Sequence, residues 1–162
     1  MATTFKLNDG ATIPWLAIGT GTALFGRDAK NAVVQALQAG ITHLDGAQVY
    51  RNEESLGEGI VEAGVPREKL FITTKLDKLP EGRTVRETLV ESLQKLRLDY
   101  VDLFLIHAPF HHKGRVVEVW KALEDAKKDG LAKSIGVSNA TVNNLKEIIE
   151  GGSIVPAINQ VR

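Results

Sequence analysis

The chain has no cysteine, a single methionine and no excess of either charge, with 20 basic residues set against 20 acidic ones. Without thiols there is no disulfide framework and no thiolate chemistry. A reducing, cytoplasmic setting suits such a chain. A net charge of zero supplies no single-sign field to steer it toward nucleic acid or an anionic membrane surface. No apolar run approaches the roughly 20 residues of a transmembrane helix. The opening MATTFKLNDGATIP is too polar for the core of a secretion signal. Low-complexity tracts and linker-like stretches are missing too. What is present is an ordinary globular balance, 43% hydrophobic and 25% charged over 162 residues, which fits one domain spanning 1–162.

The pattern along the chain alternates strands with helices. A hairpin is expected over residues 3–14, with Asn8-Asp9-Gly10 as its tight turn. Strands follow at 16–20, 42–45, 70–75, 100–107, 132–137 and 157–160. The helices between them fall at 28–39, 53–63, about 85–96, 115–128 and 141–150. The third helix is the best signed: Thr84 and Glu87 form a capping box, and Val85, Leu89, Leu93 and Leu96 share one face. The fourth strand is apolar almost throughout, as strands covered on both faces are. In the fourth helix Val116, Val119, Trp120 and Leu123 point inward, and in the fifth Val142, Leu145, Ile148 and Ile149. This order defines a parallel α/β fold. It does not choose between an open sheet and a closed barrel, and length alone favours the open sheet, because an eight-stranded barrel typically takes roughly 250 residues.

Five strands end in a polar residue. These are Asp45, Lys75, His107, the pair Ser138-Asn139, and Gln160, with successive steps of 30, 32 and 31 residues between the first four. That step is the length of one strand–helix–strand unit. Parallel strands share one carboxyl-terminal face, where ligands bind, so groups scattered in sequence are gathered in space. Taken singly, each has an ordinary structural reading: a turn Asp, a solvated Lys, a packed His, helix-capping Ser and Asn. His111-His112 reads as a solvated loop rather than a metal site, since adjacent side chains diverge and no acid or cysteine is spaced to help them. Gly19-Thr20-Gly21 and Gly57-Glu58-Gly59 are not dinucleotide fingerprints.

The stretches LDGAQVYRNEESLGEGI, FITTKL, DLFLIHAP, KSIGVSN and PAINQV, in that order and spacing, resemble the aldo-keto reductase family. The resemblance runs over essentially the whole chain. It implies a partial (β/α)8 TIM barrel with an N-terminal β-hairpin, ending after strand six, and so replaces the open sheet. It implies reduction of aldehydes and ketones to alcohols with NADPH, or NADH, as hydride source. By the same resemblance Tyr50 is the proton donor, Lys75 the cation that stabilises its phenolate, and Asp45 the partner that orients Lys75. His107 binds and orients the carbonyl. Asp45, Ser138, Asn139 and Gln160 fall at cofactor-binding positions, and no metal is implied.

Three positions depart from the family pattern. Gly21 stands where a bulky aromatic often lines the pocket, Gly46 where Thr or Ser is frequent, and Arg162 where an acidic residue often follows. The family's clamp for the adenosine 2′-phosphate and its nicotinamide-stacking aromatic lie in segments past strand six. The chain accordingly reads as part of a longer barrel protein. A second reading is an inactive fragment or non-catalytic binding module, and the open sheet edges imply self-association.

Overall fold

The computed structural model describes residues 3–161; Arg162 lies outside them. A short hairpin opens the fold. Strands β1 (Thr4–Lys6) and β2 (Thr12–Pro14) pair antiparallel, with Phe5 opposite Ile13. Their turn closes through the Gly10 amide on the Leu7 carbonyl at 3.1 Å, and Gly10 takes a φ of 90°, which only glycine adopts freely. Strand and helix then alternate: β3 (Ala17–Gly19), α1 (Lys30–Gln38), β4 (His43–Asp45), α2 (Glu53–Ala63), β5 (Phe71–Leu76), α3 (Val85–Leu96), β6 (Val101–Ile106), α4 (Val116–Lys128), β7 (Ala132–Ser138), α5 (Val142–Gly151) and β8 (Asn159–Gln160). Three 3₁₀ turns, Gln48–Tyr50, Arg67–Lys69 and Pro109–His112, join them.

Strands β3 to β8 form one six-stranded parallel sheet in sequence order. A doubly wound sheet reverses its strand order; this one does not. In a flat sheet β4 and β8 would lie about 19 Å apart, four steps of about 4.8 Å. Yet the Gln160 amide on β8 donates to Asp45 on β4 at 2.8 Å. The sheet is therefore curled into a half-barrel, and the inner faces of its second and last strands meet. The hairpin is tied to this curl by Asn8, which donates to the Pro156 carbonyl at 2.9 Å, and by Asp9, which accepts from the Ser134 hydroxyl at 2.7 Å.

Alternation along the strands sorts side chains between two cores. Leu44, Ile72, Leu76, Phe104, Ile106, Ile135 and Val137 face outward into the large core shared with the helices, where Trp120 is fully buried. Phe71, Leu103 and Leu105 face inward and pack with Ile13 of the hairpin. The helices approach closely where glycine allows it. A Cβ on Gly57 of α2 would fall 2.8 Å from the Leu96 Cα of α3.

Two sequence expectations need correction. Of the four residues of α5 expected to face inward, only Ile148 is buried, while Val142 and Ile149 are exposed. This last helix packs on α4 and has no following helix on its other flank among the described residues. His112 is not in a solvated loop: it is buried in the third 3₁₀ turn, and desolvation pushes its ring below the usual histidine range.

Candidate active site

The parallel register brings the polar strand ends to one mouth. Asp45 ends β4, Lys75 is the penultimate residue of β5, His107 follows β6, Ser138 ends β7 and Gln160 ends β8. Tyr50 closes the 3₁₀ turn after β4. Asn139 sits just beyond β7 in the left-handed region, φ 55°. Asp45, Tyr50, Lys75, His107 and Ser138 are all buried.

The Lys75 ammonium pairs with Asp45 Oδ1 and donates to the Gly46 carbonyl at 3.0 Å. The other Asp45 oxygen accepts from Gln160. Both carboxylate oxygens are thereby committed, and the ammonium is held in direction. It lies 5.2 Å from the centroid of the Tyr50 ring, within cation–π range. The His107 ring stands edge-on to the same ring at 5.5 Å, with an interplanar angle of 85°. The Phe25 ring lies 6.3 Å from that of Tyr50, also tilted toward edge-on. Beside them a cleft of about 400 Å³ is lined by Gly21, Phe25, Tyr50, Asp77, His107 and His111, among others. A comparable hollow against Trp15 and Leu16 has no titratable side chain in its lining.

Sequence reasoning missed several of these lining residues. Gly21 does more than depart from a family habit: a Cβ there would fall 2.8 Å from Tyr50 Cζ, so the absent side chain leaves room for the phenol ring. Phe25 and Asp77 lie on irregular segments and carry no periodic signal. His43, on the inner face of β4, packs against Phe71 and bonds Thr73 Oγ1 at 3.0 Å; burial pushes its ring below the usual histidine range.

Three polar side chains, Ser138, Asn139 and Gln160, lie together on the β7 and β8 side. Asn139 donates to the His107 carbonyl at 3.2 Å and to Ser138 Oγ at 3.0 Å. Ser138 thus accepts within the protein and keeps its hydroxyl proton to give. Gln160 Oε1 is buried with no hydrogen-bond partner among the described residues. A free donor and a free acceptor at one rim match the two faces of a carboxamide, so the donor set fits a nicotinamide.

A curled parallel sheet that gathers a buried ion pair, a phenol and an imidazole at its carboxyl-terminal mouth defines a barrel-type α/β protein. The chain belongs to the aldo/keto reductase family, whose profile matches residues 17–162. It is 42% identical over 159 residues to the glyoxal reductase of Bacillus subtilis, an alignment covering 98% of this chain and 57% of that protein. It is 41% identical to methylglyoxal reductase DkgA of Escherichia coli, again over 98% of this chain and 57% of the relative. The crystal structure of Bombyx mori aldo-keto reductase AKR2E4 in complex with NADP superposes with a TM-score of 0.90 at 41% identity, covering 99% of this chain and 58% of that one. The chain thus spans a little over half the length of these relatives. Among the described residues no helix is long and apolar enough to cross a membrane.

Proposed function

We propose that the chain carries the proton-donating side of a site that reduces small aldehydes and ketones to alcohols, with NADPH, or NADH, bound at its mouth. A reduced nicotinamide supplies the hydride. The protein's own task is to protonate the oxygen on which charge develops. Tyr50 gives that proton from its hydroxyl. The Lys75 ammonium stabilises the phenolate that results, and Asp45 keeps the ammonium aimed at it. His107 donates to the carbonyl oxygen and orients the substrate beside the phenol. Ser138 and Gln160 take the carboxamide, with Asn139 holding Ser138 in place. In this reading residues 1–162 form one domain, at work in the cytoplasm.

The observation that carries the reading is the approach of both the Lys75 ammonium, at 5.2 Å, and the His107 ring, at 5.5 Å, to a Tyr50 ring that lines the same cleft as His107. The relatives' names, glyoxal and methylglyoxal reductase, point to small dicarbonyls as first substrates to try. The test uses the purified chain with NADPH and methylglyoxal, following loss of NADPH absorbance. Turnover that falls by about a hundredfold or more in Tyr50→Phe supports the reading, in line with the usual contribution of a positioned acid. Turnover undiminished in Tyr50→Phe overturns it. A second reading is a non-catalytic binding module. NADPH binding, seen as a fluorescence change, with no turnover of any simple aldehyde would favour it.

A further inference from the structure

The Glu53 carboxyl is only 4% exposed, yet it lies outside the site just described. Its two oxygens accept from the Thr74 hydroxyl at 2.6 Å and the Ser92 hydroxyl at 3.1 Å. Ser92 in turn accepts from the Gln48 amide at 3.2 Å, and the same amide reaches the Thr88 carbonyl at 3.3 Å. The carbonyl end of Gln48 accepts from the Asp77 backbone amide at 3.0 Å. The order of these bonds is fixed. The carbonyl end of Gln48 takes the Asp77 amide, so its nitrogen end can only donate, and Ser92 accepts from Gln48 and gives its one proton to Glu53. Burial pushes the Glu53 carboxyl above the ordinary carboxylate range, and the two hydroxyls counter that shift.

The ends of this relay are what give it meaning. Gln48 opens the turn that closes at Tyr50, and Thr74 immediately precedes Lys75. Asp77 lines the cleft. We infer that the Gln48–Ser92–Glu53–Thr74 relay is a positioning device, which ties the turn bearing the phenol to the strand bearing the ammonium from behind the sheet. The far side of the turn has its own anchor, Asn52, whose amide donates to the Thr20 and Leu24 carbonyls at 2.8 Å each. With both anchors the Tyr50 backbone has little freedom, and the separation of phenol and ammonium follows from it. The inference rests on the reading of Tyr50 as proton donor.

The test exploits a scarcity, because the chain has only two tyrosines. Incorporation of 3-fluorotyrosine gives two ¹⁹F resonances, assigned by Tyr100→Phe. Tyr100 serves as the internal control, packed between Arg67 and Lys133 at the opposite end of the strands. Ser92→Ala and Gln48→Met cut the relay at its middle and at its end. Each is expected to displace or broaden the Tyr50 resonance, leave that of Tyr100 in place, and lower kcat by about tenfold with KM changed less than twofold. Glu53→Gln keeps the shape and one acceptor, gives a smaller displacement in the same direction, and carries the test should the other variants fail to fold. A Tyr50 resonance that stays put in every folded variant overturns the inference. Loss of the proton-donor reading would show separately, as full turnover in Tyr50→Phe, while the ¹⁹F result still decides whether the relay holds the ring.

Discussion

Lys75 is a charged side chain with 2% of its surface in water, and its counter-ion Asp45 is nearly as enclosed. Burying both charges costs solvation that the pair recovers only while both are present. Removal of one partner leaves a buried, unpaired charge, which costs about 3–5 kcal/mol. Lys75→Met is therefore expected to destabilise the chain by that amount in urea unfolding followed by circular dichroism. The double variant Asp45→Asn/Lys75→Met is expected to recover most of the loss. A single variant costing under about 1 kcal/mol, the range of exposed pairs, would contradict the buried pairing. At this scale much of the site was legible. Asp45, Lys75 and His107 each follow an apolar strand at a step of 30 or 32 residues, and parallel pairing converts that rhythm into proximity. Phe25, Asp77 and the Gln48–Ser92–Glu53 relay were not legible. They depend on where irregular segments and helix backs come to rest, which no period in the sequence encodes.

At the scale of elements, α3 shows local sequence and structure agreeing most fully. Thr84 Oγ1 accepts from the Glu87 amide at 3.2 Å, and the Glu87 carboxylate accepts from the Thr84 amide at 2.7 Å. The bonds its carboxylate accepts from the Thr84 amide and the Thr84 hydroxyl draw the Glu87 carboxyl below its ordinary range. Thr84→Ala removes the cap and is expected to lower stability by about 1 kcal/mol, read from the shift of the urea midpoint at constant slope. A change in slope instead would mean that the first turn of α3 also frays in the native state. The inner residues of α3 and α4 were read correctly because helical spacing names the apolar face, and here that face meets the sheet. Spacing named the apolar face of α5 as well, but it cannot say whether a neighbour covers that face, and Val142 and Ile149 remain in water. The 3₁₀ turn that carries Tyr50 escaped notice for a simpler reason: three residues are too few to show a period.

For the molecule as a whole, the 31-residue rhythm indicates parallel α/β but is silent on closure; the family resemblance supplied the partial barrel, and the contact of Asp45 with Gln160 bears out its curvature. Curvature has a consequence that the helices do not offset. Closing a barrel removes its edges, whereas β3 pairs only with β4 and β8 only with β7 among the described residues. Each edge strand presents unpaired backbone groups, and exposed apolar side chains flank both: Trp15 and Leu16 beside β3, Val155 and Val161 beside β8. Free edges next to apolar surface template pairing with another chain. The purified chain is accordingly expected to self-associate, its apparent mass rising with concentration in size-exclusion chromatography with light scattering. Lysine is the residue that natural edge strands use against such pairing. Leu16→Lys with Val161→Lys places one charge at each edge, distant from Tyr50, Lys75 and His107 in the sequence, and is expected to shift the population toward monomer without lowering the unfolding midpoint by more than about 1 kcal/mol equivalent, as for surface substitutions. A chain that runs as a monomer at every concentration before any lysine is added would show that the curled sheet protects its own edges.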